Sequence, residues 1–423
     1  MIQKTFTLLS LSACCSLAFA MPLSHSEACQ DQTADNLGEA FSCGSIDGSL
    51  RFQSYSLNNA YFSGNSQDAT AIGGYATYKT APYHGFQAAI GIEGQHNLDQ
   101  GSSPVAELGD DTFGLGEAYI KWQHEKLAVT VGNQRLANMP FVGDYGNFRV
   151  LPYLYQGLDI QYGDADNFVR ATKVNKFKSY GTSKFSKGSR LKDDAFTGLT
   201  ENTDGMIALG AAKKVQFGSQ YLKGQLWVQH YDDLLNLYYG EADYGLSDVK
   251  GQPEFGLQGM YGKNTGDAYL GKVDSKVMGV QVKLKPSAKT NLKIAYNHML
   301  KEADAYNNGA LPTPYAHNTS SGPFFAQPFF TSTQDLGAGN AWSAELTGPV
   351  NDKLFMGGRL THVRASNSPA QAKNKMTEYL VFGTYRFQGR LKGLSISDFA
   401  GVQKRQGNSN EFLQNRLQVS YNF

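Results

Sequence analysis

The chain has 423 residues, with 46 Gly, 25 Phe and 24 Tyr against 13 Pro and 4 Cys; that balance suits twisted strands, tight turns and aromatic girdles better than a helical or α/β enzyme. Its mean hydropathy of −0.39 and the lack of any 18-residue apolar run past residue 20 exclude a helical membrane protein, but not a membrane barrel, whose strands are apolar on one face only. Charge is nearly balanced, 38 Lys and Arg against 37 Asp and Glu, which argues against a nucleic-acid partner, since binding one takes a basic excess.

Residues 1–20 read as a signal peptide. Lys4 is the positive n-region, Phe6 to Phe19 the apolar core, and Ala18-Phe19-Ala20 the cleavage site before Met21. Leu11-Ser12-Ala13-Cys14 is a competing lipobox that would place a lipid on Cys14, with a short apolar stretch before it. Cleavage after Ala20 removes Lys4 and leaves 37 basic against 37 acidic residues. Residues 21–47 then form a periplasmic N-terminal segment. There Cys29 and Cys43 can close a disulfide in an oxidising compartment.

From Gly48 to Phe423, apolar and polar residues alternate in pieces of roughly 10 to 14 residues, the length of a tilted barrel strand. Leu127, Val129 and Val131 oppose Thr130 and Gln134. Met278, Val280, Val282 and Leu284 oppose Gln281, Lys283 and Lys285, and Leu292, Ile294 and Tyr296 oppose Lys293 and Asn297. The last piece is the clearest: Leu413, Leu417, Val419, Tyr421 and Phe423 share one face, and Gln414, Arg416, Gln418, Ser420 and Asn422 the other. A charge facing lipid near the midplane costs about 2–4 kcal/mol, so the polar faces point into the lumen. The final Phe423, with Tyr421 two before it, resembles the signal by which the barrel-assembly machinery recognises its clients.

Short turns are predicted at 80–85, 124–126, 163–166, 286–289, 349–352 and 388–390. Longer loops are predicted at 99–110, 137–152, 179–202, 301–339 and 365–374. Short periplasmic turns and long extracellular loops are the habit of outer-membrane barrels. The count comes to about eighteen strands; reading Tyr231-Asp232-Asp233 as the middle of one long strand gives sixteen. The expected fold is all-β, a transmembrane antiparallel up-and-down β-barrel over residues 48–423, in the bacterial outer membrane.

Catalytic motifs are missing. His124-Glu125 is not followed by a second histidine at zinc-helix spacing, Gly262-Lys263 runs into Asn264, and no G-x-S-x-G occurs. No enzyme activity, cofactor or metal is therefore expected. Asp110-Asp111 and Asp193-Asp194 read as solvated loop tips rather than calcium ligands.

Gly116-Glu117-Ala118-Tyr119-Ile120-Lys121, Val131-Gly132-Asn133-Gln134-Arg135-Leu136, Arg149-Val150-Leu151-Pro152 and Gly157 follow one another in an order that resembles the OprD-type porins. Gly74-Tyr75-Ala76-Thr77-Tyr78 and the Phe-ended last strand are similar to that family too. The resemblance implies an eighteen-stranded, substrate-selective channel, narrowed by inward-folded loops and lined on one wall by basic side chains along which small carboxylate-bearing nutrients pass. It makes 137–152 the constriction loop and Arg149 its arginine; an ordinary solvated loop arginine is the other reading.

Alternation supplies further lumen candidates: Lys121, Arg170, Lys223, Lys283, Lys293, Arg359 and Arg416, with Arg135 at the head of the constriction loop. Unpaired, such groups guide anions through a passage narrower than the Debye length of ~8 Å. Equally, each can pair with a lumen carboxylate such as Glu117, Asp159 or Glu345. The loop 301–339 carries Pro312, Pro314, Pro323 and Pro328 with Phe324, Phe325, Phe329 and Phe330; it either folds inward or caps the barrel. The expected partners are small solutes, outer-membrane lipid and lipopolysaccharide, the barrel-assembly machinery through Phe423, and two further copies if the barrel is a trimer rather than a monomer. A general or oligosaccharide-selective porin, a surface adhesin with a closed lumen and a barrel hydrolase are the competing functions.

Overall fold

The computed structural model describes residues 33–98, 105, 108, 110–143, 149–192, 198–316, 323–331, 336–367 and 374–423. The signal-peptide stretch, Cys14, Cys29 and Asp193-Asp194 lie outside the described residues. The strands are β1 (Ser45–Asn58), β2 (Gln67–Lys79), β3 (Phe86–Asn97), β4 (Thr112–His124), β5 (Leu127–Gln134) and β6 (Leu154–Gly163). They continue as β7 (Phe168–Lys178), β8 (Met206–Phe217), β9 (Gln220–Tyr231), β10 (Leu235–Leu246), β11 (Glu254–Asn264) and β12 (Asp274–Ser287). The last six are β13 (Thr290–Met299), β14 (Ala338–Pro349), β15 (Leu354–Ser366), β16 (Asn374–Arg386), β17 (Leu394–Arg405) and β18 (Phe412–Asn422).

Each strand pairs antiparallel with the next, and β1 pairs with β18 as well as β2 (Arg51 lies opposite Ser420 and Gly73), so the eighteen-stranded sheet closes on itself. Closure satisfies every strand's backbone groups without an edge, the condition for strands to cross a membrane. The stretch that admitted two counts resolves into β9 and β10, joined by a tight turn at 232–234 in which Asp233 takes a left-handed φ of 56°. Sixteen strands are thereby excluded.

The alternation sorts the faces as expected. Met278 and Ile294 point outward, 58% and 50% exposed, while Gln281 and Asn297 on the same strands are buried inward. Outward aromatics form two belts, Tyr296, Trp342 and Tyr379 toward the long loops and Phe86, Tyr162, Phe217 and Phe255 toward the short turns. Several boundaries differ from the sequence reading by one to three residues. β1 starts at Ser45, three residues before Gly48; Ala338 and Gly339 belong to β14 rather than to the preceding loop; and Ala365, Ser366 and Asn374 belong to β15 and β16 rather than to the loop between them.

A short helix, α1 (Leu37–Ser42), precedes the barrel, and strand periodicity gave no sign of it. Asn36 caps it, accepting from the Glu39 amide at 3.0 Å, and the Glu39 carboxylate accepts in return from the Asp35 amide. Ala34 and Ala40 pack on Ala81 in the β2–β3 turn. Cys43 is disulfide-bonded.

Candidate functional site

Two loops pack, over their described residues, against the inner face of the barrel wall. The β5–β6 loop carries Leu136, Met139, Phe141, Val150 and Leu151, all buried, so an outward course would leave this apolar surface in water. The wall holds its carbonyls. Arg170 donates to Ala137 O at 2.7 Å, Gln229 to Pro140 O at 2.6 Å, Tyr155 to Gly143 O at 2.7 Å and Arg51 to Arg149 O at 2.8 Å.

The β13–β14 loop folds inward as well. Gln258 donates to Pro323 O at 2.7 Å and accepts from the Phe325 amide at 3.1 Å, and Asn297 accepts from the Ala326 amide at 2.6 Å. Farther around the wall, Glu378 of β16 accepts from the amides of Phe329 and Phe330 at 2.6 and 3.0 Å and from Gln403 at 2.7 Å. Backbone groups that would otherwise be buried without partners thus find them on the wall. The two loops meet where Gly143 donates to Tyr315 O at 3.0 Å and the ring of Phe141 meets Phe324 edge-on.

Arg149 is neither of the two things anticipated for it. It is 1% exposed, donates to the Tyr55 hydroxyl at 2.8 Å and lies against the rings of Tyr55 and Tyr180. Loop packing leaves it almost no contact with solvent, and it ties the β5–β6 loop to β1.

The other candidates face the lumen, and most have carboxylate partners. Arg170 binds Asp159 at 2.8 and 3.1 Å, Arg359 binds Glu345 at 2.5 Å, and Arg135 lies 4.0 Å from Glu117 and 4.2 Å from the centre of the Tyr75 ring. Lys283 meets Glu254 at 2.6 Å, and Lys223 meets Asp166 at 2.7 Å beside Lys214 at 3.2 Å. Asp166 sits in the β6–β7 turn, and hydrogen bonds from Lys223 and then Lys214 hold its carboxyl below the usual range. Lys121, on the inward face of β4 beside outward Ile120, and Lys293 make no ion pair among the described residues. Arg416 has no carboxylate partner there either; it lies over the rings of Tyr55, Phe329 and Phe330.

Register turns part of the candidate set into a row around the wall rather than a ladder along it. Glu254, Lys283, Lys293, Glu345 and Arg359 lie opposite one another on β11 to β15. The first four, with Tyr221, line a cavity of about 390 Å³ toward the short-turn end. Sequence reasoning missed Arg51, Glu241 and Asp243. Arg51 was legible as an inward residue between Ser49 and Gln53, opposed by Leu50 and Phe52. β1 and β10 are nine strands apart in a ring of eighteen, so the inward Glu241 and Asp243 stand on the wall opposite Arg51.

The sequence matches a family model described as outer membrane porin, OprD family, over residues 92–423. No curated protein matches it. Among solved structures it is similar to OpdK of Pseudomonas aeruginosa, at 15% identity and a TM-score of 0.73 over 90% of this chain and 98% of that one. OccK9 (OpdG) of the same organism gives 15% and 0.75 over 91% and 99%. OccAB2 of Acinetobacter baumannii gives 16% and 0.74, also over 91% and 99%. OpdK has also been solved with vanillate.

Proposed function

As the chain belongs to the OprD family of outer-membrane porins, we propose that it passes small carboxylate-bearing solutes, such as amino or organic acids, passively and selectively through its lumen. The observation that carries this reading is Lys293, which faces the 390 Å³ cavity with no ion pair among the described residues. Its row neighbours Lys283 and Arg359 are already matched by Glu254 and Glu345, so a passing carboxylate is the natural partner for the remaining ammonium. Lys121, also without an ion pair among the described residues, extends the same attraction to another part of the wall. Glu241, half-buried on the inward face of β10, favours a solute that carries an amine as well. Vanillate, held by the similar OpdK, is itself a carboxylate.

A second reading, an oligosaccharide channel, is favoured by one feature. Phe329, Phe399 and Phe382 stack at 5.2 and 5.6 Å on the lumen side of β16 and β17, and such a face suits a sugar ring. Swelling of proteoliposomes in isotonic solutes separates the two. Faster entry of small carboxylates than of neutral sugars of equal size supports the first reading, and the reverse order supports the second.

A further inference from the structure

The outer face of β14 to β16 combines two features that channel function does not use. Arg364 of β15 and Lys375 of β16 lie directly opposite each other, and both point outward at the long-loop end. Like charges placed face to face across strands are destabilising unless an anion lies between them. Among the described residues neither has a carboxylate partner, and both act electrostatically on His362, one pair-step below. Other outward bases at the long-loop end differ: Lys276 of β12 has Asp274 at 2.9 Å, and Lys404 of β17 has Glu411 at 2.6 Å. The connection from Ser366 to Asn374 contains no acidic residue, and it adds Lys373.

Beneath this pair the wall is hollow. Ala344, Gly358 and Ala400 leave a groove of about 830 Å³ bordered by Leu360, Tyr379 and Val381. Leu360 pairs with Tyr379, and Gly358 with Val381, so the groove opens four residues below Arg364 and Lys375, about 14 Å down the strands. An added Cβ at Gly358 would meet nothing nearer than Leu380 O at 3.7 Å. The small side chain therefore leaves open space rather than relieving a clash. The charged end lies just beyond Trp342 and Tyr379 of the upper aromatic belt, at headgroup height, and the apolar end lies at the height of lipid tails.

We propose that Arg364 and Lys375, with the groove below them, bind a phosphorylated, acylated lipid of the outer leaflet, the chemistry of lipopolysaccharide. The guanidinium takes phosphate oxygens in a two-point grip, the ammonium adds a third bond, and an acyl chain fills the hollow. A second copy of the chain suits this face poorly, because a symmetric contact would bring two cation pairs together.

The test is a titration of the full folded chain in detergent micelles, read by native mass spectrometry. Its probes are bis-phosphorylated lipid A, the same lipid without phosphate, and inorganic phosphate. The expected result is one lipid A retained per barrel and at least tenfold weaker retention in Arg364→Ala/Lys375→Ala. Weaker retention is also expected in Gly358→Leu, which fills the groove, and no displacement by millimolar inorganic phosphate. Heat-modifiable gel mobility and unchanged conductance show that each variant is folded. Equal binding with and without lipid phosphate, wild-type retention in the double variant, or displacement by free phosphate would overturn the proposal. So would self-association abolished by Gly358→Leu while lipid A binding stays intact.

Discussion

The guanidinium of Arg170 grips the carboxylate of Asp159 at two points, Nε to Oδ1 at 2.8 Å and Nη2 to Oδ2 at 3.1 Å. A third nitrogen, Nη1, reaches the Ala137 carbonyl, so the pair is one of the wall anchors of the β5–β6 loop. Removing one partner of a pair this buried leaves the other charge uncompensated, at a cost of about 3 kcal/mol. Arg170→Ala is therefore expected to lower the unfolding temperature in detergent. It should also raise single-channel conductance as the loop leaves the bore.

Glu378 is the corresponding anchor for the β13–β14 loop. Its replacement by Ala strips the Phe329 and Phe330 amides of their acceptor, about 1–3 kcal/mol for each buried donor left unmet. Faster proteolysis within 323–331 and noisier, larger currents are expected. Glu378→Gln keeps one acceptor oxygen and should fall between the two.

Charge selectivity should follow Lys293 and not Arg149. One lumen charge at ~8 Å in water is worth about 0.5 kcal/mol, roughly a twofold change in the anion-to-cation permeability ratio. Lys293→Ala is expected to reduce the ratio by that amount with conductance nearly unchanged. Arg149→Ala should instead loosen the constriction, because its side chain is sequestered against Tyr55 and Tyr180. Reversal potentials in a salt gradient distinguish the two effects.

Asp166 provides a pH-dependent latch at the short-turn end. Its carboxyl is held below the usual range by Lys223 and Lys214, so the stabilisation is present above the unfolded carboxylate pKa of ~4 and is lost as pH falls through the folded value. The group is 38% exposed, and solvent screening keeps its worth below about 1 kcal/mol. Melting curves of wild type and Asp166→Asn should differ at pH 7, and the gap should close as acid protonates the carboxylate below its lowered folded pKa. A difference that persists in acid would show that the ion pairs do not supply it.

The barrel was legible because lipid imposes a period-two rule that Met278, Val280 and Val282, or Leu417, Val419 and Tyr421, cannot break without exposing charge to hydrocarbon. The pairing of Arg170 with Asp159 and of Arg359 with Glu345 was legible as one of two options, since alternation puts these residues on the same face. Register decides that choice, and single strands do not carry it. β16 shows the other limit. Its inward Met376, Leu380 and Phe382 are apolar because a loop packs on them, so the polar-inward rule gives no sign of Glu378 between them. The direction of the proline-rich loop was hidden for a related reason: two of its acceptors, Gln258 and Glu378, are 67 and 49 residues from the amides they meet, on strands that do not adjoin the loop.

Single-channel recording of the purified protein in planar bilayers tests the central claim most directly, with small carboxylates and neutral sugars added in turn to the long-loop side. Steady unitary currents, a reversal potential on the anion side, and concentration-dependent block by the carboxylate but not by the sugar are the expected result. A folded barrel that carries no current, or whose current is indifferent to carboxylates and unaltered by Lys293→Ala, would contradict it.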